Sequence, residues 1–327
     1  MFRHALKSYF LVMFCGVLAP SVGVSSQEPP ALSKNGNWSI RAVVFTAGRD
    51  SFLHGPQATI FVVGDLRKRP VKLLEGFSPE WSPDGSKIAF AASRDRDARS
   101  EIFTVNPDGS GKKQLTQEKG GTGARMLSWS PDGKRIAFTI FRADGSDGIY
   151  VMDEDGANPQ FITEGLDPQW SPDGRKLVFC RGPFPILQSL PRGPRDNRDK
   201  TSIWVANSDG SAATAIMDEN SMSRFSQWTR GDKITFSSNR NGRWAIYRMN
   251  SDGSGLEGLL YSKDSDYVWP AVSPDGKELV VVAARLIDFS DMRVEGEPRI
   301  VAVELDNVHH TKKIADGVHP SVLWDQK

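Results

Sequence analysis

The chain has 327 residues with 41 basic and 40 acidic side chains, so its formal net charge at pH 7 is +1. A near-neutral chain does not indicate nucleic acid or an anionic membrane surface as a partner. Its two cysteines are Cys15, in the N-terminal segment, and Cys180, which excludes an intrachain disulfide once that segment is removed and requires a core for stability.

The first 26 residues have the organisation of an export signal. Two basic residues precede a central apolar run, and small residues precede position 27. The apolar run is shorter than the roughly 20 residues that a membrane-spanning helix needs, so a retained anchor is the weaker alternative. We therefore expect a signal peptide at 1–26 and a mature protein at 27–327, exported to the periplasm or secreted, with no transmembrane segment after cleavage.

One phrase recurs along the mature chain. It is WSPDGSKIAF at 81–90, WSPDGKRIAF at 129–138 and WSPDGRKLVF at 170–179. In chain order its first position is occupied by Trp81, Trp129, Trp170, Trp228, Val272 and Val322. Spacings of 41 to 58 residues are typical of propeller blades.

Each repeat predicts the same series of elements. An inner strand ends at Trp-Ser, and a tight SPDG turn leads to a second strand such as KIAF. A loop, a third strand such as EIFTV, a second turn such as NPDG and a short outer strand follow. Pro, Asp and Gly suit the successive positions of such turns. The unit is thus a four-stranded antiparallel meander, and radial stacking covers both of its apolar faces.

The two ends of the repeat array complement each other. The first unit, at about 41–74, lacks an inner strand, and the last segment, HPSVLWDQK, is an inner strand with nothing after it. We predict an all-β fold, a six-bladed β-propeller of four-stranded antiparallel blades, formed as a single domain over residues 27–327. Residues 320–325 are expected to complete the N-terminal blade and close the ring.

The pattern PxWSPDGxxIAFxSxR…IYxMxxDG resembles the repeat of TolB-type propellers, the periplasmic component of the Tol–Pal envelope system. The same repeat occurs in the propellers of prolyl-oligopeptidase-like peptidases. The resemblance implies a propeller with partners in the cell envelope. Only about fifteen residues separate the signal from the first strand, so we expect the N-terminal α/β domain of TolB to be absent. The chain has no G-x-S-x-G motif to support a peptidase.

Residues that recur in every unit are explained by the fold, whereas function is expected where the units differ. The repeated tryptophans, Trp81, Trp129, Trp170 and Trp228, are therefore interpreted as packing residues. The residues just before them vary, and we expect them to line the central channel. They are Glu80, Ser128, Gln169, Gln227, Ala271 and Ser321.

The mature histidines do not predict a metal site. His309 and His310 are adjacent on a predicted strand, so their side chains point to opposite faces. His54 and His319 are expected in loops at the mouth of the first blade, but two histidines lack the third ligand that a metal site needs. No metal and no cofactor are expected.

The most distinctive loop is RGPFPILQSLPRGPRDNRDK at 181–200, which is apolar around Phe184 and then basic around Arg195. Loops of this length are usually functional or disordered. It is either a partner-binding element or a flap that packs on a neighbouring blade. In the first case it would border the channel mouth with His54 and His319, and a partner would be anchored by Phe184 or Trp269 and steered by Arg195.

Two functions remain open at this point. The first is a non-enzymatic, monomeric binding protein that recognises a protein segment, another envelope component or a glycan at the loop-rich channel mouth. The second is a propeller enzyme that acts on envelope or extracellular polysaccharide, as a lyase or hydrolase. An enzyme should show titratable groups with perturbed pKa values that converge in that mouth.

Replacing residues 183–198 by a short Gly-Ser turn should leave folding intact, because the loop lies outside the predicted strands. Capture of the protein's partner from envelope extract should be lost. Capture by the shortened protein of everything that the full-length protein captures would instead identify the loop as a flap.

Overall fold

The computed structural model describes residues 38–47, 58–93, 100–117, 123–142, 147–182, 200–217, 221–229, 231–288 and 293–326. All regular elements in these ranges are β-strands, in agreement with the predicted all-β class. Within the same ranges, no helix is long and apolar enough to cross a membrane. The predicted signal segment, His54, Phe184 and Arg195 lie outside the described residues.

The strands follow one another as successive four-stranded meanders. The first meander contains β1 (Trp38–Ala47), β2 (Thr59–Val63) and β3 (Val71–Glu75). The next two contain β4 (Phe77–Trp81), β5 (Ile88–Ser93), β6 (Ser100–Val105), β7 (Lys113–Gln114), β8 (Gly123–Trp129), β9 (Arg135–Phe141), β10 (Gly148–Asp153) and β11 (Gln160–Glu164).

The remaining strands repeat the pattern. They are β12 (Leu166–Trp170), β13 (Lys176–Arg181), β14 (Ser202–Asn207), β15 (Thr214–Ala215), β16 (Ser223–Thr229), β17 (Lys233–Ser238), β18 (Ala245–Asn250), β19 (Glu257–Leu260), β20 (Asp266–Val272), β21 (Glu278–Asp288), β22 (Arg293–Glu304), β23 (Asn307–Asp316) and β24 (Val318–Gln326).

Hydrogen bonding groups the described strands into four four-stranded sheets and one eight-stranded sheet. The eight-stranded sheet consists of the meanders β4–β7 and β8–β11, which are joined where β6 and β8 run parallel at the single pair Ser100 and Gly123. A Cβ atom on Gly123 would lie 2.4 Å from the Ser100 backbone nitrogen, so only glycine permits this close approach.

The C-terminal strand completes the N-terminal sheet, as the sequence predicted. The order in that sheet is β24-β1-β2-β3, and β24 pairs antiparallel with β1 from Trp38 and Gln326 to Thr46 and Val318. On its other side β24 contacts β4, where the Trp81 backbone N–H donates to Ser321 Oγ at 3.1 Å. The last strand therefore belongs to the first sheet and also covers the second.

The recurring SPDG turns are stabilised by one hydrogen-bond pattern. Ser82 Oγ donates to Asp84 Oδ1 at 2.6 Å and accepts from the Lys87 backbone N–H at 2.9 Å. Gly85, with φ +71°, occupies the left-handed position that the turn requires. The turns at 130–135, 171–176 and 273–278 repeat the serine-to-aspartate bond at 2.6 Å. The phrase that recurs in the sequence thus forms a hairpin turn.

The core lies between consecutive meanders. One cluster, for example, packs Val44 and Ile60 of the first sheet against Trp81 and Phe90 of the second, with Leu323 of β24 at its edge. The four repeated tryptophans are 6–8% exposed and lie in such clusters. Each sheet therefore depends on its neighbours for the burial of its apolar side chains.

Deleting the chain from Pro320 onward should destabilise the whole protein, because the deletion exposes the edge of β1 and removes Leu323 from its cluster. A loss of several kcal/mol would lower the melting temperature by on the order of 10 °C, at about 2–4 °C per kcal/mol. Calorimetry of the truncated protein beside one lacking only Lys327 measures this. Melting of the two within a degree or two of each other would contradict closure by β24.

Candidate functional site

A left-handed residue marks the same place in each of the innermost strands β4, β8, β12, β16, β20 and β24. These residues have φ between +49° and +56° and stand three positions before the recurring tryptophan position. They are Ser78, Met126, Asp167, Phe225, Trp269 and His319. We call these six residues the channel ring.

Each ring residue lies in a β-bulge, because the register with the neighbouring strand shifts by one residue there. Non-glycine residues rarely adopt a positive φ, and the ring contains side chains of six different types. The backbone conformation therefore belongs to the position in the fold, while the side chain at that position is free to vary.

All six ring side chains are partly exposed, and together they line one cavity with a volume of about 100 Å³. The residue two positions further along each strand faces the same way in three cases, so Glu80, Gln169 and Gln227 also line the cavity. The cavity lies where the inner strands of the successive sheets meet.

One part of the wall is aromatic. The ring of Trp269 lies against Phe225, with their centroids 4.6 Å apart and their planes tilted by 36°. The imidazole of His319 meets Trp269 in an edge-to-face arrangement at 4.3 Å. Because burial lowers the pKa of His319 to about 3, its imidazole is neutral at physiological pH and extends the apolar surface of the two larger rings.

Another part of the wall carries two carboxyl groups. Burial raises the pKa of Glu80 to about 8, and a hydrogen bond with Ser321 opposes this rise. Burial raises the pKa of Asp167 to about 6, opposed by the positive charge of Arg224. Both side chains are enclosed by protein on most sides but open onto the cavity. Asp167 Oδ2 is buried and has no hydrogen-bond partner among the described residues.

Two buried arginines lie behind the channel ring. In sequence, each immediately precedes a ring residue. Arg224 is 1% exposed, and burial lowers its pKa while the charge of Asp167 opposes that shift. Arg125 is 8% exposed and places its guanidinium 4.7 Å from the centre of the Phe141 ring. Neither arginine lines the cavity. Both positive charges are buried beneath the side chains that do.

Cys180 lies in the same buried layer. Burial and, to a lesser degree, the charge of Asp167 raise the pKa of its thiol to about 12, and its Sγ contacts the Ser223 carbonyl oxygen at 3.5 Å. A thiol held protonated in this way is not a nucleophile at neutral pH.

The structure brings together five of the residues that the sequence singled out: Glu80, Gln169, Gln227, Trp269 and His319 line the cavity. Ser128, Ala271 and Ser321, also expected to line the channel, are instead 3–6% exposed and do not line the cavity. Ser128 Oγ donates to Gln169 Oε1 at 3.1 Å. The assignment of His319 to a loop was wrong, because it lies within β24, whose pairing with β1 extends past it.

Sequence reasoning missed four members of the ring, namely Ser78, Met126, Asp167 and Phe225. Side chains alternate between the two sides of a strand, so the position two residues before a channel-facing residue also faces the channel. Applying this period to Glu80, Gln169 and Gln227 leads directly to Ser78, Asp167 and Phe225. Within the described residues, no group of three or more His, Cys, Asp or Glu side chains could hold a metal ion.

Comparison with known proteins matches residues 71–292 to the family described as the tricorn protease N-terminal beta propeller domain. An uncharacterised protein of Agrobacterium fabrum is 26% identical over 215 residues, covering 63% of this chain and 65% of that protein. The Tol-Pal system protein TolB of Syntrophus aciditrophicus is 37% identical over 79 residues, covering 23% of this chain and 16% of that protein. The chain thus spans less than two thirds of the length of either of these curated relatives.

A solved structure extends the comparison. The crystal structure of TolB from Acinetobacter baumannii superposes with a TM-score of 0.64 at 20% identity, covering 86% of this chain and 66% of that one. At this identity the likeness concerns the fold, and it supports a TolB-like propeller.

The raised pKa of Glu80 predicts a specific pH dependence of stability. Its value is about 8 in the folded protein and near 4.5 in an unfolded chain, so the folded state retains a proton that the unfolded state loses. The free energy of unfolding should therefore fall as pH rises from about 5 to 8. Glu80→Gln removes this contribution, so the variant should become more stable relative to the wild type over that range.

Urea denaturation at pH 5, 7 and 9 measures the effect. Glu75→Gln, which changes an exposed glutamate at the end of β3, is the matched control and should follow the wild type. Parallel pH profiles for the wild type and Glu80→Gln would contradict the burial of this carboxyl group.

Proposed function

We propose, on the premise that this chain belongs to the tricorn protease N-terminal beta propeller domain family, that it is an exported, non-enzymatic binding protein. Its ligand is a segment of a partner in the cell envelope, and the segment enters the channel mouth lined by the channel ring. The premise concerns the fold, and the function rests on the site.

The observation that carries the proposal is the convergence of the variable positions. Residues shared by the repeats, such as Trp170 and the SPDG turns, are used in packing and in hairpins. The ring positions differ in every repeat, yet all six side chains face one cavity. Variable side chains that converge on one cavity are typical of a recognition site, because packing alone does not require them to differ there.

The size of the cavity favours binding of a narrow segment. Pockets that enclose small-molecule substrates usually have volumes of about 300–1,000 Å³. The volume here is about 100 Å³, which suits one side chain of a partner rather than a sugar ring with its neighbours. A protein segment is therefore favoured over a glycan.

We infer that the propeller has six blades, which agrees with six ring residues around one cavity. The reason is that the eight-stranded sheet contains two complete meanders that share only the pair Ser100 and Gly123. Counted in this way, the described strands give six meanders and six innermost strands, and each innermost strand supplies one ring residue.

The sequence of residues 1–26, which lie outside the described residues, and the names of two similar proteins support the proposal of export. Two of the similar proteins are named as TolB, one of them as a Tol-Pal system protein. We propose that this chain acts in the same compartment, the periplasm, as a scaffold with its own partner.

One observation favours the alternative of an enzyme acting on polysaccharide. Glu80 and Asp167 open onto the same cavity, and both have raised pKa values, as expected for acid–base catalysis. This alternative requires turnover of an oligosaccharide that Glu80→Gln abolishes. Turnover that depends on Glu80 would replace the binding proposal.

Met126→Trp should abolish partner capture, because an indole side chain is larger than the methionine side chain and would fill the cavity. The position already carries a non-glycine side chain at φ +56°, so no new backbone strain is introduced. Capture from envelope extract by the mature wild-type and variant proteins measures the effect. Tyr261→Trp, at a side chain 82% exposed on the outer surface, is the control and should capture normally. Equal capture by all three proteins would contradict a site in the channel mouth.

A further inference from the structure

Among the described residues, the cavity wall carries carboxyl groups and no permanent cation. Glu80 and Asp167 open onto the cavity, and no lysine or arginine is found among the described residues that line it. Arg224 is buried behind the ring, where it opposes the rise in the pKa of Asp167. In the part of the chain that the structure describes, the charged groups nearest to a ligand in the cavity are therefore carboxyl groups, with Arg224 buried behind them.

One acceptor in this wall lacks a donor. Asp167 Oδ2 is buried and has no hydrogen-bond partner among the described residues, although the side chain borders the cavity. A buried acceptor left without a donor is unfavourable, and more so when it is charged. A donor on the ligand would remove this cost, so the site favours ligands that donate hydrogen bonds.

The aromatic wall is suited to the same kind of ligand. Trp269 contacts both Phe225 and His319, and all three line the same cavity as the carboxyl groups. The faces of aromatic rings attract cations within about 6 Å of their centres, and tryptophan does so most strongly. The Asp167 carboxylate beside an indole thus favours a positively charged ligand over an anionic one.

The size of the cavity limits the form of the cation. The cavity volume of about 100 Å³ is well below the roughly 300 Å³ at the lower end of small-molecule pockets. An ammonium group is a compact cation with three donors, whereas guanidinium is larger and planar. The more compact group suits a small cavity and offers three donors to its wall.

We propose that the channel mouth binds a single ammonium group, presented by a lysine side chain or by the free amino terminus of an extended partner segment. The proposal rests on the proposed function and specifies its ligand. Asp167 accepts a hydrogen bond from the ammonium group. Glu80, which holds a proton in the free protein, releases it to solvent as the cation binds and accepts a second hydrogen bond, and the Trp269 indole borders the bound group.

Four blocked or unblocked peptides test the proposal on the mature protein. Acetyl-Gly-Lys-Gly-amide is compared with its acetyl-lysine counterpart, and Gly-Gly-Gly-amide with its N-acetylated form. Binding is followed by NMR through the indole N–H signal of Trp269. At least one free amine should bind ten-fold or more tightly than its acetylated counterpart, and the pair that shows the difference identifies the source of the ammonium group.

Two conservative variants locate the site. Glu80→Gln keeps the shape of the side chain, and Asp167→Asn introduces the residue type that best tolerates the φ of +55° found there. Each should weaken binding of the free amine ten-fold or more, whereas Glu75→Gln should not. Equal affinity for the free and acetylated peptides, or unchanged affinity for the free amine in both variants, would overturn the proposal.

Failure of this inference is distinguishable from failure of the proposed function. If Met126→Trp abolishes partner capture while Glu80→Gln and Asp167→Asn leave it unchanged, the mouth is the site but its ligand carries no ammonium group there. If Met126→Trp has no effect on capture, the proposed function itself is wrong.

Discussion

Each sheet of this protein buries apolar side chains on both faces, and this requirement organises the rest of the structure. In one cluster Val44 and Ile60 pack against Trp81 and Phe90 of the next sheet, and equivalent clusters join the later sheets. A row of such sheets would leave its two ends uncovered. The pairing of β24 with β1 resolves this, because one strand completes the first sheet and covers the second. Stacking closed in this way directs the innermost strands toward a common channel.

The channel surface is shaped by the bulge in each innermost strand. An extra residue with positive φ turns the ring side chain toward the cavity, and the residues on either side of it remain mostly buried. The bulge costs backbone strain, which the packing of the surrounding sheets offsets. Ser78 and Trp269 occupy equivalent places although they differ in size and polarity. The fold therefore holds the backbone constant while the chemistry of the mouth changes from one strand to the next.

The fold was predictable from the sequence because its determinants repeat. Trp81 and the SPDG turn recur at blade spacing, and the missing inner strand of the first unit is matched by the final segment. The site was less predictable, because the positions that form it have no residue in common. Asp167 precedes a proline and resembles a turn residue, and only its position in β12 relative to Gln169 brings it to the cavity. The pKa values of Glu80 and His319 depend on burial created by distant strands, which no local pattern encodes.

Site-specific photo-crosslinking tests the central claim, that the variable ring positions form the recognition surface, most directly. A benzophenone amino acid is introduced at Met126 in the mouth or at Tyr261 on the outer surface, and each protein is irradiated in envelope extract. The account predicts a discrete covalent adduct from position 126 and none from position 261. An adduct from position 261 with none from position 126 would contradict it.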